Sequence, residues 1–174
     1  MSVFNLSNLL SLLRIPLAFV LMIDLSFYRA LAIGLAMMTD GLDGYLARRF
    51  KMTSQVGAFL DPLTDKFFVF FAMGIFIYEG NLQIWQAVAM LSRDIAVAIF
   101  GCYLALKGSW SYFPFQSIWS GKLTTLIQFI VLFAVTFHFP LANYTFFSFI
   151  ILGVFALIEL YRIEVALSKN LNRP

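Results

Sequence analysis

Long apolar runs separated by short polar breaks organise the whole chain. Six such segments can be read, at roughly 11–27, 29–49, 54–79, 82–106, 117–139 and 142–167. Each is close to the length of about 20 residues that an α-helix needs to cross the hydrocarbon core of a bilayer. The breaks carry turn residues: Asp24 to Ser26, Arg49 to Thr53, Glu79-Gly80-Asn81, Lys107 to Ser117 and His138 to Asn143. Inside the segments apolar residues follow one another without the period-two alternation of a barrel strand, so the pattern predicts helices. Ahead of Arg14, the stretch Phe4-Asn-Leu-Ser-Asn-Leu-Leu10 mixes apolar and small polar residues and predicts a short interfacial segment before the first crossing. The expected fold is an all-α integral membrane protein of six transmembrane helices.

Composition strengthens this reading. Of 174 residues, 61% are hydrophobic and only 12% charged, against about 45–50% and about 25% in soluble domains. A soluble domain of this size has no room to hide so much apolar surface, and the excess is expected to face lipid. One domain, residues 1–174, accounts for the length. The single cysteine, Cys102, excludes a disulfide framework and sits among apolar neighbours as a packing residue. No basic residue precedes the first apolar run, so that run is expected to stay in the mature protein.

The net charge of +3 is small and its basic residues form no nucleic-acid patch, which excludes a nucleic-acid partner. They serve instead as topology markers. Arg48, Arg49 and Lys51 follow the second segment, Lys107 and Lys122 flank the loop after the fourth, and Lys169 and Arg173 lie in the tail. The loops after the third and fifth segments contain no Lys or Arg, and the first loop contains only Arg29. The positive-inside rule then puts both termini and the basic loops in the cytoplasm.

One stretch departs from the apolar pattern: Thr39-Asp-Gly-Leu-Asp-Gly-Tyr-Leu-Ala-Arg-Arg49, then Gly57-Ala-Phe-Leu-Asp-Pro-Leu-Thr-Asp-Lys66. Asp40 and Asp43 are three apart and Asp61 and Asp65 four apart, so each pair falls on one helix face. Antiparallel packing through a short loop would gather all four carboxylates. A carboxylate at mid-bilayer costs about 2.5–3.5 kcal/mol on insertion scales, and four together also repel. A divalent cation resolves both problems, and hard oxygen donors without a nearby Cys or His point to Mg²⁺ or Mn²⁺ (Ca²⁺ has the same ligand preference) rather than zinc. Gly41, Gly44, Ala47 and Gly57 remove side-chain bulk around the acids, and Arg48 offers a charge-assisted contact to a diphosphate oxygen.

The pattern Asp40-x-x-Asp43-Gly44-x-x-Ala47-Arg48, eight residues, Gly57-x-x-x-Asp61-x-x-x-Asp65 resembles the complete signature of the CDP-alcohol phosphotransferases. Asn8-Leu-Leu-Ser-Leu-Leu-Arg14 is similar to that family's N-terminal segment, so the resemblance covers essentially the whole chain. Phe59-Leu-Asp-Pro-Leu-Thr-Asp-Lys66 looks most like the branch that transfers a phosphatidyl group from CDP-diacylglycerol to glycerol 3-phosphate or to phosphatidylglycerol. The resemblance implies a homodimer of six-helix subunits with a polar cavity opening to the cytoplasm, in a bacterial inner membrane. It implies that Asp40, Asp43, Asp61 and Asp65 form the metal-binding set for two divalent ions, the first three as the principal ligands and Asp65 also as general base. Asp40, Gly44, Ala47, Arg48, Gly57 and Asp61 would form the nucleotide site.

Glycerol 3-phosphate is the acceptor expected first, since Gly121-Lys122-Leu-Thr-Thr followed by Gln128 also looks like that branch. Its phosphate needs cationic partners, for which Arg93, Lys122 and Arg14 are the candidates. Arg93 and Asp94 have the plainer reading of an interhelical ion pair and Lys122 that of a lysine snorkelling to the interface, while Arg14 and Arg162 are weaker candidates of the same kind. Arg93-Asp94 stands where the branch often has Arg-Glu, which keeps phosphatidylglycerol as a second acceptor. A cation transporter would also use intramembrane acids, but no matching polar sites continue toward the opposite side of the chain's helices. A non-catalytic scaffold gives no reason for acids and glycines at fixed spacing.

Overall fold

The computed structural model describes the backbone of residues 6–50, 55–106 and 119–171, and the side chains of 9–39, 63–104, 106 and 123–165. The described residues form α1 (Leu6–Val20), α2 (Ser26–Phe50), α3 (Gln55–Tyr78), α4 (Ile84–Met90), α5 (Ser92–Leu106), α6 (Trp119–Thr136) and α7 (Asn143–Leu171), with no strand among them. The all-helical expectation holds. Helix α1 runs without a break from Leu6 past Arg14, so the described part of the expected interfacial segment is continuous with the first helix. Within α7, Asn143–Val165 is 23 residues long and apolar enough to cross a membrane, and α4 with α5 would make a second, broken span.

Two compact units divide the chain, and each draws on separated stretches of sequence. The first comprises residues 1–83 and 128–140, the second 84–127 and 141–174, so α6 contributes to both.

In the first unit α1 packs against both α2 and α3. Buried residues recur at helical spacing: Ala32, Ile33 and Ala36 on α2, and Phe68, Val69, Ala72, Met73 and Phe76 on α3. Phe129 of α6 brings its ring to 5.8 Å from that of Phe68. Helix α1 tightens at its end, where the N–H groups of Leu21, Met22 and Ile23 each bond the carbonyl three residues back. Arg29, near the start of α2, closes that end of the unit. Its Nε donates to the Ile23 carbonyl at 2.9 Å, and its two terminal nitrogens grip the Glu79 carboxylate at 2.7 and 2.5 Å. The guanidinium also lies 5.8 Å from the Phe76 ring centroid. Glu79 is placed for this by the end of α3, where Gly80 takes a left-handed φ of 76° and the chain turns. The first loop's basic residue is therefore a buried, neutralised one.

In the second unit α7 packs against α4 and α5. Phe100, Leu104 and Leu160 form a buried cluster with Val97 and Ile163 against it. The fourth apolar segment is not one helix: α4 and α5 meet at a 58° bend around Leu91. No Pro or Gly lies at the break. Its cause is a contact from elsewhere in the chain. The Ser92 hydroxyl donates to the Phe149 carbonyl of α7 at 2.7 Å. One turn on, Gly153 presses so closely that an added Cβ would stand 3.1 Å from the Ser92 carbonyl carbon and 3.2 Å from the Arg93 nitrogen. Those neighbours are backbone and have little freedom to yield. Gly153→Ala should accordingly lower stability by about 1–3 kcal/mol, read as an earlier thermal unfolding in detergent; unchanged unfolding would mean that α5 and α7 separate at no cost.

Candidate active site

The acidic motif straddles the second half of α2 and the first half of α3, at the end of the first unit away from Arg29 and Glu79. That distant ion pair sets the register. From Arg29, fourteen residues of helix carry the backbone of Asp43 about 21 Å along α2. From Glu79, fourteen residues back along α3 carry that of Asp65 the same distance, about 21 Å. Asp40 and Asp61 fall about 5 Å before and after this level. The side chains of Asp40, Asp43, Arg48 and Asp61, the surroundings of Gly44, Ala47 and Gly57, and the Lys122 side chain lie outside the described residues. Among the described residues no group of three or more potential metal ligands occurs.

Asp65 is described, and it does not stand alone. Arg14 of α1 reaches across and donates from one terminal nitrogen to the Asp65 Oδ1 in an ion pair. The same nitrogen lies 3.5 Å from the Thr64 hydroxyl oxygen, a marginal contact. Arg14 is completely buried, whereas the Asp65 side chain keeps 19% of its surface open. Ser11, one turn before Arg14, and Thr64 are buried too, so polar groups gather where α1 meets α3. An isolated guanidinium would be expelled from so dry a place, and a paired carboxylate is what lets it remain. The structure thus brings together two of the expected site residues, Arg14 and Asp65, from positions 51 apart in the chain.

Comparison with known proteins settles what this arrangement is related to. A family model described as CDP-alcohol phosphatidyltransferase matches residues 4–160, a span that contains the acidic motif and Arg14. The chain belongs to the CDP-alcohol phosphatidyltransferase family. Among its relatives is a protein of Haemophilus influenzae named CDP-diacylglycerol–glycerol-3-phosphate 3-phosphatidyltransferase, 37% identical over 74% of each chain. The protein of that name from Escherichia coli is 35% identical over 74% of this chain and 75% of its own. A probable phosphatidylglycerophosphate synthase of Mycobacterium tuberculosis is 33% identical over 71% of this chain and 62% of its own.

The phosphatidyltransferase is therefore an enzyme, and its residues suit a hard divalent ion. Four carboxylates on two helix segments offer only oxygen donors, and no Cys or His lies between Asp40 and Asp65. Arg93 lies in the second unit, in the first turn of α5. It is half-buried and its Nη1 stands 3.4 Å from the carboxylate of its neighbour Asp94, while its buried Nε has no hydrogen-bond partner among the described residues. Sequence reasoning missed Thr64 and Ser11. Their signal was available, since Thr64 adjoins Asp65 and Ser11 precedes Arg14 by one turn, but small hydroxyls in a helix are ordinarily silent.

Proposed function

We propose that this phosphatidyltransferase moves the phosphatidyl group of CDP-diacylglycerol to the hydroxyl of glycerol 3-phosphate, giving phosphatidylglycerophosphate and CMP. The observation that carries the reading is the full acidic motif on α2 and α3, with Asp65 held at its edge by Arg14. The names of the relatives support the donor and the acceptor. Residues 1–174 act as one membrane domain of six crossings, α4 and α5 together making the fourth, with both termini and the site on the cytoplasmic side of a bacterial inner membrane. The basic residues that flank the site end support that orientation. The enzyme works as a homodimer.

Asp40, Asp43 and Asp61 would hold the divalent cations, Mg²⁺ or Mn²⁺, which when bound would supply charge neutralisation for the diphosphate and for the departing nucleotide. Gly44, Ala47 and Gly57 leave room for cytidine, and Arg48 contacts the diphosphate. Asp65 takes the proton of the acceptor hydroxyl. The oxygen so freed bonds to the phosphorus that bears diacylglycerol, and the bond from that phosphorus to the CMP oxygen breaks, its electron pair leaving with CMP. Positioning and fixed charge supply most of the rate.

The deciding experiment incubates purified protein with labelled CDP-diacylglycerol and a panel of acceptors. CMP release should require glycerol 3-phosphate. Release that requires phosphatidylglycerol would assign cardiolipin synthesis, and no release with any alcohol would remove the enzyme reading. Arg93 and Lys122 are the cations for the acceptor's phosphate. Arg93→Ala or Lys122→Ala should raise KM for glycerol 3-phosphate about tenfold to a hundredfold, the worth of one charge-assisted contact, and leave KM for CDP-diacylglycerol nearly unchanged. An equal rise in both constants would instead mark a general disturbance of the fold.

A further inference from the structure

We propose that Arg14 is a positioning residue that keeps Asp65 a base, by occupying the carboxylate oxygen that would otherwise turn to the metal cluster. The inference rests on the proposed phosphatidyl transfer and adds a residue that the acidic motif does not contain.

Four carboxylates around two divalent ions all have reason to become ligands. A ligand's lone pair is committed to the ion, whereas a general base must present one to the acceptor hydroxyl. Something has to separate the fourth acid from the other three. The guanidinium of Arg14 does so in two ways. It donates to Asp65 Oδ1, and it sets a fixed positive charge beside that carboxylate, which disfavours approach of a dication on the same side. Arg14 is suited to the task by its own confinement. Its side chain is 1% exposed, it rises from α1 where that helix packs on α3, and it carries donors only. The Asp65 side chain, by contrast, stays partly open. One partner is anchored and the other is presented.

A purely structural staple between α1 and α3 would make the same contact, so the test must separate the two. The full-length protein in detergent, with CDP-diacylglycerol and glycerol 3-phosphate, is compared as wild type, Arg14→Gln, Asp65→Asn and the double variant, whose Gln and Asn can still hydrogen-bond. Arg14→Gln should lower kcat about 100-fold, the scale of a small misplacement of a reacting group, with KM for CDP-diacylglycerol within threefold of wild type. Without substrates it should bind Mn²⁺ more tightly than wild type, as Asp65 joins the ligands; an unchanged Mn²⁺ affinity overturns the proposal. If Arg14 acts through Asp65, the double variant is no slower than Asp65→Asn alone. A double variant slower by the product of the two single losses overturns the proposal. So does an Arg14→Gln enzyme with wild-type kcat and a raised KM for glycerol 3-phosphate, which would make Arg14 a phosphate contact. Should Arg14→Gln not accumulate as folded protein, Arg14→Lys decides: charge is retained and the rigid fork lost, so kcat should fall about tenfold, and a wild-type kcat overturns the proposal. A wild type inactive toward glycerol 3-phosphate strikes the proposed function instead. The cycle is then run with the acceptor that does react.

Discussion

Excess EDTA should abolish CMP release from CDP-diacylglycerol, and Mg²⁺ or Mn²⁺ should restore it. The reason is electrostatic. Asp40 and Asp43 stand about one turn apart on α2 and Asp61 lies on α3, and the proposed site gathers all three around one diphosphate. At the reduced dielectric of such a site, unit charges a few ångströms apart repel by several kcal/mol. A diphosphate brought to bare carboxylates would add to that repulsion. Losing the charge compensation that a bound ion gives should therefore cost at least about 10³-fold in rate. The measurement is nucleotide release against free metal concentration in chelator buffers. Full activity in excess chelator would remove the metal from the mechanism and leave the acids without a role.

Asp65→Asn should lower kcat about 10²–10⁴-fold, the usual contribution of a positioned general base, because an amide cannot take up the hydroxyl proton. CDP-diacylglycerol binding should survive. Asp61→Asn should behave differently, weakening metal and nucleotide binding together. The ion pair adds a condition to the first experiment. An amide at position 65 leaves the fully buried Arg14 without this anion, and breaking a buried pair from one side costs about 3–5 kcal/mol of stability. Unfolding must be followed beside turnover, and the neutral double variant provides the folded control. Normal turnover by Asp65→Asn with native metal affinity would mean that the proton goes elsewhere.

The helices were legible because each long apolar run has to satisfy its own backbone, and the polar breaks around Asp24, Glu79 and His138 fall where helices end. The bend at Leu91 was not legible. Ser92-Arg93-Asp94 does interrupt the apolar run beside it, but three polar residues fix no angle, and the Ser92–Phe149 bond and the close approach of Gly153 come from residues about 60 positions away. From spacing alone the acids could be proposed as one group, though of the four only Asp65 has a described side chain. Their division of labour could not, since nothing in one dimension says which of four carboxylates Arg14 meets. Arg14 looked like one more cation for the acceptor phosphate, and only the packing of α1 on α3 puts it against Asp65. Arg29 misled in the same way: as a loop residue it counted toward topology, yet it is buried and paired.

The far end of the first unit also has a history during synthesis. Arg29 emerges fifty residues before Glu79. Until then its acidic neighbour among the described residues is Asp24, 3.4 Å away and almost wholly open to solvent, where such a contact is worth little. The nascent chain therefore carries an uncompensated cation at the lip of α2 while two helices are being made, and the three-helix assembly becomes electrically quiet only when the turn after α3 closes. Damage to Glu79 is then felt in how many molecules complete assembly, and hardly at all in the turnover of those that do.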